Sequence, residues 1–208
     1  MKLPLTLRIK KKAHQDIAYA QDLVMEEVYS FFPRAVFHGG TAIWRCYQGN
    51  RFSEDIDMYL LGKKNIDAFF ERLQQKGFII HKKMVKENSL YSELEFNRAI
   101  IRFEALFLAK KDAVLKEYEL ADGNYITVYT LTPEELLKEK INACLKRGKA
   151  RDIYDIFFLL RLATKAPPEL KKVTSIKIID EENLSAIILS GPIPTVKEMK
   201  EYIARWEL

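Results

Sequence analysis

The chain has 208 residues, 48% hydrophobic and 30% charged, which excludes a disordered or collagen-like protein and suits one large domain or two small ones. Its formal net charge is +5, and no segment approaches the roughly 18 apolar residues of a membrane span. Residues 1–9 lack a signal-peptide core, and Cys46 and Cys144 match no metal-ligand spacing. These features predict a cytoplasmic protein with free thiols.

The first part of the chain alternates predicted helices and strands. Apolar residues at helical spacing predict a helix over residues 13–30, ended by Pro33. A short strand at 35–37 is followed by Gly39-Gly40 and a short helix over 41–47. A strand over 55–61 and a helix over 65–76, which Gly77 stops, complete this part.

Strands dominate from residue 78 to 130, and helices follow. The predicted strands are 78–85, 90–96, 100–108, 114–120 and 125–130, with a hairpin turn at Asp122-Gly123 between the last two. Thr132, Pro133 and Glu135 predict a capping box. We expect helices over 133–147 and about 150–163, and a mostly helical tail over 169–208, broken at 191–192. This pattern predicts an α+β fold with two domains, 1–130 and 131–208.

The stretch from His38 to Asp57 carries the clearest chemical signal. Gly39, Gly40 and Thr41 open a helix directly after a strand, where free backbone N–H groups suit a phosphate. Asp55 and Asp57 lie two apart on a predicted strand, so both face one way at about 6.6 Å. Such a pair repels unless a cation lies between, and Mg²⁺ prefers one or two carboxylates with phosphate oxygens. The stretch predicts a metal–nucleotide site.

A third carboxylate would serve as a general base or a second-metal ligand. Arg102 and Glu104 share one face of a predicted strand, while Ile101, Phe103 and Ala105 take the other. Glu104 is therefore our candidate, and Glu93 and Glu95 are weaker ones. A solvent-facing Arg–Glu pair is the alternative interpretation.

Two basic clusters indicate a polyanionic partner, RNA or a triphosphate. Residues 2–12 carry five cations and no acid, and residues 138–151 carry six cations and one acid. Lys140, Arg147 and Arg151 have the spacing to project from one face, although Gly148 interrupts it. An ion pair between Arg151 and Asp155, four residues apart, is the alternative. The clustered cations are Lys2, Arg8, Lys10, Lys11, Lys12, Lys138, Lys140, Lys146, Arg147, Lys149 and Arg151.

The motif Gly39-Gly40-Thr41, followed by Arg51-Phe52-Ser53-Glu54-Asp55-Ile56-Asp57, resembles the first motif of the AbiEii-type nucleotidyltransferases, toxins of toxin–antitoxin systems. The segment from Lys140 to Asp155 resembles their later basic motif. The resemblance covers roughly residues 35–160. It implies a DNA-polymerase-β-like core with a mixed or antiparallel sheet, followed by a helical region that completes the nucleotide site.

The resemblance also implies roles for individual residues. Asp55, Asp57 and Glu104 would hold Mg²⁺, or Mn²⁺, and would be catalytic together with Lys140 and Asp152. The nucleotide-binding residues would be Gly39, Gly40, Thr41, Arg51, Ser53, Lys140, Arg147, Lys149 and Arg151.

The expected activity is transfer of a nucleoside monophosphate from an NTP to an acceptor hydroxyl. Relatives of this type modify the 3′ end of tRNA, so RNA is the expected acceptor and an antitoxin protein an expected partner. Two alternatives remain open: a small-molecule, antibiotic-type acceptor, or a subunit that binds nucleotide or RNA without catalysis.

Overall fold

The computed structural model describes residues 3–206 and has a seven-stranded sheet with helices on both faces. Within these residues no helix is long and apolar enough to cross a membrane. The strands are β1 (Val36–His38), β2 (Ile56–Leu60), β3 (Ile79–Val85), β4 (Ser89–Phe96), β5 (Ala99–Phe107), β6 (Val114–Glu119) and β7 (Tyr125–Thr130). The helices are α1 (Leu5–Arg8), α2 (Lys12–Phe31), α3 (Gly39–Tyr47), α4 (Ile66–Gln75), α5 (Pro133–Arg147), α6 (Ala150–Leu159), α7 (Leu170–Val173), α8 (Leu184–Ile187) and α9 (Val196–Arg205).

The sheet is mixed and confirms the predicted α+β class. Its order is β3-β4-β5-β2-β1-β7-β6. β2 pairs with β5 and β1 pairs with β7 in parallel, and the other neighbours are antiparallel. The antiparallel pairing of β1 with β2 and the parallel pairing of β2 with β5 bring these three strands together at the centre.

Alternation along the strands separates two cores. Ile56, Met58 and Leu60 of β2 pack with α2 and α4 on one face of the sheet. Tyr59 of β2 lies on the opposite face, where α5, α6 and α9 form the second cluster. The apolar periodicity of each helix matches the face it buries. The domain boundary at residue 130 stays a prediction.

The predicted helices and strands up to residue 147 are confirmed to within two residues at their ends. Thr132 caps α5 by accepting a hydrogen bond from the Glu135 backbone N–H at 3.3 Å. The turn at Asp122-Gly123 joins β6 to β7 as expected, with Gly123 at φ 93°. Short α1 was not predicted.

The end of the chain differs from the expectation. α6 stops at Leu159, four residues early, and the Leu160 carbonyl accepts a hydrogen bond from the Trp206 indole N–H at 3.0 Å. The tail carries α7, α8 and α9 with non-helical stretches between them, and Ile188, directly after α8, forms an antiparallel bridge with Arg51. The Phe52 N–H donates to the Ile187 carbonyl at 2.8 Å. The tail is thereby joined to the segment that precedes the two aspartates.

Candidate active site

Two of the three predicted acidic residues, Asp57 and Glu104, lie side by side at the centre of the sheet, and Asp55 lies directly before β2 rather than on it. His38 of β1 is opposite Asp57 of β2, and Asp57 is opposite Glu104 of β5. Residues paired across neighbouring strands point to the same face. Both carboxylates therefore face the side on which α5 packs, while Ile101, Phe103 and Ala105 are buried against the other side. This confirms the predicted alternation of β5.

The two glycines leave room for the site's own side chains. Gly39 has φ 78°, and a Cβ there would overlap the Asp57 carboxylate. A Cβ on Gly40 would overlap the Arg51 guanidinium and the Ser53 hydroxyl. Thr41 is fully buried, and its hydroxyl donates to the Asp55 backbone carbonyl. Thr41 thus joins α3 to the start of β2, and its side chain is not available to a phosphate.

A polar cavity of about 190 Å³ lies between the start of β2, β5, α5 and α6. It brings together nine of the predicted site residues and adds Arg102. Its lining residues are Gly40, Arg51, Ser53, Asp55, Asp57, Arg102, Glu104, Lys140, Arg147 and Arg151.

Burial and the neighbouring charges together set the pKa values of two of the carboxylates. Burial raises the pKa of Asp57, and the nearby Asp55 and Glu139 carboxylates add to this against the opposing effect of His38 and Lys140. Burial also raises the pKa of Glu104, followed by the charges of Asp57 and Asp55. A cation placed among these oxygens would relieve the repulsion.

Arg102 supplies part of the positive charge that offsets the repulsion among the carboxylates. Its Nε lies 2.8 Å from Asp55 Oδ1, and its Nη2 lies 3.3 Å from Asp55 Oδ2. Among residues 3–206 no three acidic, histidine or cysteine side chains are grouped as a ready metal cluster. Mg²⁺ needs only one or two carboxylates when phosphate oxygens supply further ligands. The donor set of Asp55, Asp57 and Glu104 therefore fits a metal–nucleotide complex, with Arg102 competing for Asp55.

The cations are held by buried carboxylates. Arg51 donates to both oxygens of Asp155 at 2.8 Å, and Lys140 Nζ lies 2.9 Å from the same carboxylate. Arg147 donates to both oxygens of Asp152 at 2.7 Å. The alternative interpretation, an Arg151–Asp155 ion pair, is not found, because Asp155 is bound by Arg51 and Lys140 instead.

Arg151 makes no ion pair within the described residues. Gly148 ends α5 with φ 60°, yet Arg151 of α6 reaches the cavity that Lys140 and Arg147 of α5 line.

Several candidate residues lie away from this cavity. Asp152 is fully buried beneath Arg147. Lys149 lines an adjoining cavity of about 320 Å³ and lies 3.4 Å from Asp180. Glu93 of β4 is opposite Arg102 of β5, and the Glu95 carboxylate lies 2.6 Å from His81 Nε2. Neither glutamate lines the cavity with Glu104.

Three cations of the first basic cluster, residues 2–12, form ion pairs or hydrogen bonds within the protein. Arg8 pairs with Glu119, and Lys12 pairs with Asp16 at 2.8 Å. Lys11 Nζ donates to the Ala186 carbonyl at 2.9 Å. Lys2 lies outside the described residues.

Sequence reasoning missed three features of the site. Asp155 is 104 residues from Arg51, and no local pattern indicates that pairing. His38 bonds Glu139 at 3.0 Å and stacks on Tyr59 with centroids 4.0 Å apart. The tail lines the adjoining cavity through Asp180, Asn183, Leu184 and Ile187. The pairing of Arg102 could have been suspected, because Arg102 shares a face with Glu104.

Comparison with solved structures identifies the fold. JHP933 from Helicobacter pylori is 19% identical, covering 90% of this chain and 88% of that chain with a TM-score of 0.58. A putative nucleotidyltransferase from H. pylori is also 19% identical, covering 90% and 91% with a TM-score of 0.56. MenT4, the nucleotidyltransferase toxin Rv2826c from Mycobacterium tuberculosis H37Rv, is 16% identical, covering 97% and 85% with a TM-score of 0.57. No curated protein matches the chain.

The family comparison identifies the chain itself. The model of the AbiEii nucleotidyl transferase toxins of type IV toxin–antitoxin systems matches residues 23–185. That range holds every residue of the polar cavity, on α3, β2, β5, α5, α6 and the loop before β2. The chain belongs to the AbiEii nucleotidyltransferase toxin family.

Proposed function

We propose that the protein transfers a nucleoside monophosphate from an NTP to a hydroxyl at the 3′ end of an RNA, with tRNA as the acceptor, in a reaction that depends on Mg²⁺ or Mn²⁺. The observation that carries the proposal is the polar cavity, where Asp55, Asp57 and Glu104 lie with Lys140, Arg147 and Arg151. Carboxylates opposite cations suit a metal-bound triphosphate and do not suit an uncharged ligand.

The cations have distinct roles in binding the donor. Arg151 is without an ion pair in the described part of the chain and is free to bind a phosphate. Arg147 is oriented by Asp152, and its side chain remains 43% exposed. Lys140 is fixed by Asp155 and presents a positive charge to Asp57. Asp152 and Asp155 are therefore positioning residues beneath the phosphate site.

Asp55 and Asp57 would hold the divalent cation, with Glu104 beside them, and the bound ion would screen the triphosphate charge and favour attack at the α-phosphorus. With the cation bound, Arg102 would no longer pair with Asp55 and would be available to bind the donor phosphates. Mn²⁺ fits the same oxygen ligands.

The chemical step is an in-line displacement. The acceptor hydroxyl loses its proton to the Glu104 carboxylate, whose raised pKa suits a general base. Its oxygen forms a bond to the α-phosphorus, while the bond from that phosphorus to the bridging oxygen of the β-phosphate breaks. Pyrophosphate leaves toward Arg147 and Arg151. Positioning and fixed charges supply most of the rate enhancement.

A labelling assay tests this proposal. Purified protein is incubated with Mg²⁺ and each α-labelled NTP, with and without total tRNA. We expect label in tRNA from one or two NTPs, and at least about 100-fold less with Asp57→Asn, since the metal site is incomplete. The control Asp67→Asn changes an aspartate on α4 whose side chain is 87% exposed, and it should keep full activity.

The other outcomes identify the alternatives. Label on an antibiotic-type small molecule and not on RNA would support the small-molecule acceptor. Metal-dependent NTP binding without any product would support a non-catalytic binding subunit. Equal activity of Asp57→Asn and the natural chain would contradict the assigned site. A cognate antitoxin is expected to suppress the labelling, which addition of that protein to the same assay would measure.

A further inference from the structure

A row of side chains runs from the candidate active site across the sheet. In the strand register Asp57 is opposite Glu104, Glu104 is opposite Tyr91, and Tyr91 is opposite Met84. Opposite residues share a face, and neighbouring strands are about 4.8 Å apart. Tyr91 therefore stands one strand from Glu104 and two strands from Asp57. The face beyond it is open, since Leu106 is 44% and Met84 38% exposed.

A cavity of about 210 Å³ follows this row, and its charge differs from that of its neighbours. His38, Asp57, Glu104, Tyr91 and Leu106 line it, and its described lining includes no lysine or arginine. The cavity of about 320 Å³ on the other side of the site is lined by the cations Arg51, Lys149 and Arg151 as well as by the acids Glu54, Asp55 and Asp180. A polyphosphate is repelled by the uncompensated carboxylates of the first cavity, whereas the second offers it lysine and arginine side chains. The cavity along the row suits an uncharged sugar and base.

The end of the cavity at the carboxylates is equipped for hydroxyl groups. His38 Nδ1 lies 3.0 Å from Glu139 Oε2, and the other Glu139 oxygen accepts from the Tyr59 hydroxyl at 2.5 Å. A carboxylate is an acceptor only, so the proton of this pair belongs to Nδ1. Nε2 is then left for a ligand, and no described residue bonds to it. Glu104 provides a second acceptor in the same cavity.

We propose that this cavity binds the 3′-terminal ribonucleoside of the acceptor RNA, with its base on the Tyr91 ring and its ribose hydroxyls between Glu104 and His38. This inference rests on the proposed function. Aromatic rings on open sheet faces stack unpaired RNA bases in this manner. Lys82 Nζ lies over the Tyr91 ring, 5.2 Å from its centroid, and in the complex this ammonium leaves the ring face to the base and pairs with the phosphate that joins the terminal nucleoside to the preceding one.

A photo-crosslink locates the RNA end without requiring turnover. The full chain is irradiated with tRNA whose terminal adenosine is replaced by 8-azidoadenosine, and labelled peptides are mapped. We expect label within residues 84–106, undiminished by excess NTP. Label in residues 149–187 instead, or no specific label, would overturn the inference.

Kinetics with Tyr91 variants test the stacking. Tyr91→Ala should raise the KM for the RNA acceptor about tenfold and leave the KM for NTP unchanged, while Tyr91→Phe should retain the natural values. The control Tyr125→Ala removes a 46% exposed tyrosine on β7 and should change neither constant. An unchanged RNA KM in Tyr91→Ala would reject the subsite.

The two experiments separate the inference from the proposed function. Transfer to RNA with a crosslink elsewhere would preserve the function and reject this subsite. A crosslink on β4 or β5 without any transfer would preserve the RNA site and reject the activity.

Discussion

Position 39 requires glycine for two reasons, its backbone conformation and the lack of space for a side chain. Its φ of 78° costs an L-residue about 1–2 kcal/mol, and its missing Cβ leaves space for the Asp57 carboxylate. A side chain there would displace a proposed metal ligand as well as strain the backbone. The requirement explains why a glycine that opens α3 accompanies an aspartate 18 residues later.

Gly191 allows the two constraints to be separated. It has φ 77° with open space around the position of a Cβ. We expect Gly39→Ala and Gly191→Ala to lose a similar stability of about 1–2 kcal/mol, measured by urea unfolding. Only Gly39→Ala should lower transfer, by about 100-fold, because a small misplacement of a reacting group is costly. Equal activities of the two variants would show that crowding of Asp57 has no effect.

Arg102 would compete with the proposed divalent cation for Asp55. Arg102 Nε lies 2.8 Å from Asp55 Oδ1. The positive charge of the same guanidinium lowers the pKa of Glu104, against the nearby aspartates, which raise it. Arg102→Gln removes this charge and should tighten Mn²⁺ binding by about fivefold, a typical effect of one nearby charge in a partly solvated site. Calorimetric titration of the NTP-free protein measures the affinity. Weaker Mn²⁺ binding in the variant would instead make Arg102 a support for the metal site.

At the scale of elements, Asp155 of α6 joins the loop before β2 to α5. It is 1% exposed, and Arg51 and Lys140 bind it. Burial alone would raise the pKa of Asp155, but the two cations outweigh it and hold the pKa below its ordinary value. A lowered folded-state pKa stabilises the fold above the unfolded pKa of about 3.9. That stabilisation is lost as the pH falls through the folded-state value.

Asp155→Asn should therefore cost about 3–5 kcal/mol at pH 7, since two buried cations lose their partner. The difference from the natural chain should shrink below about pH 4. Urea unfolding at pH 7 and pH 3 measures both values. The control Asp16→Asn removes an exposed pair with Lys12 and should cost less than about 0.5 kcal/mol. A difference independent of pH would contradict this account.

The elements that sequence predicts here are those with local causes. Alternation in β5, the cap at Thr132 and the Gly39-Gly40 turn depend on neighbours within a few residues. The joining of Arg51 to Asp155, and of residues 187–189 to residues 50–52, depends on tertiary packing between distant segments. The acidic residues of the site could therefore be predicted from the sequence. The carboxylates that hold the cations in place, and the contact of the tail with the segment before β2, could not.

At the scale of the whole molecule, one buried carboxylate connects the layers on the α2 side. Asp22 of α2 bonds Arg45 of α3, the Tyr118 hydroxyl of β6 at 3.0 Å and the Ala121 N–H at 2.6 Å. Arg45 is 2% exposed, and burial lowers the pKa of its guanidinium. The pair therefore fixes an edge strand and two helices relative to one another, at the cost of desolvating both charges.

Replacing Asp22 alone should lower the free energy of unfolding far more than replacing Asp22 and Arg45 together. Asp22→Ala leaves a buried, unpaired guanidinium and should lower the free energy of unfolding by about 3–5 kcal/mol. Asp22→Leu combined with Arg45→Met replaces the pair with apolar groups and should recover most of that loss. Urea unfolding compares the three proteins. If the double variant were as unstable as Asp22→Ala, the hydrogen bonds of Asp22 to Tyr118 and Ala121, rather than the unpaired charge, would account for the cost.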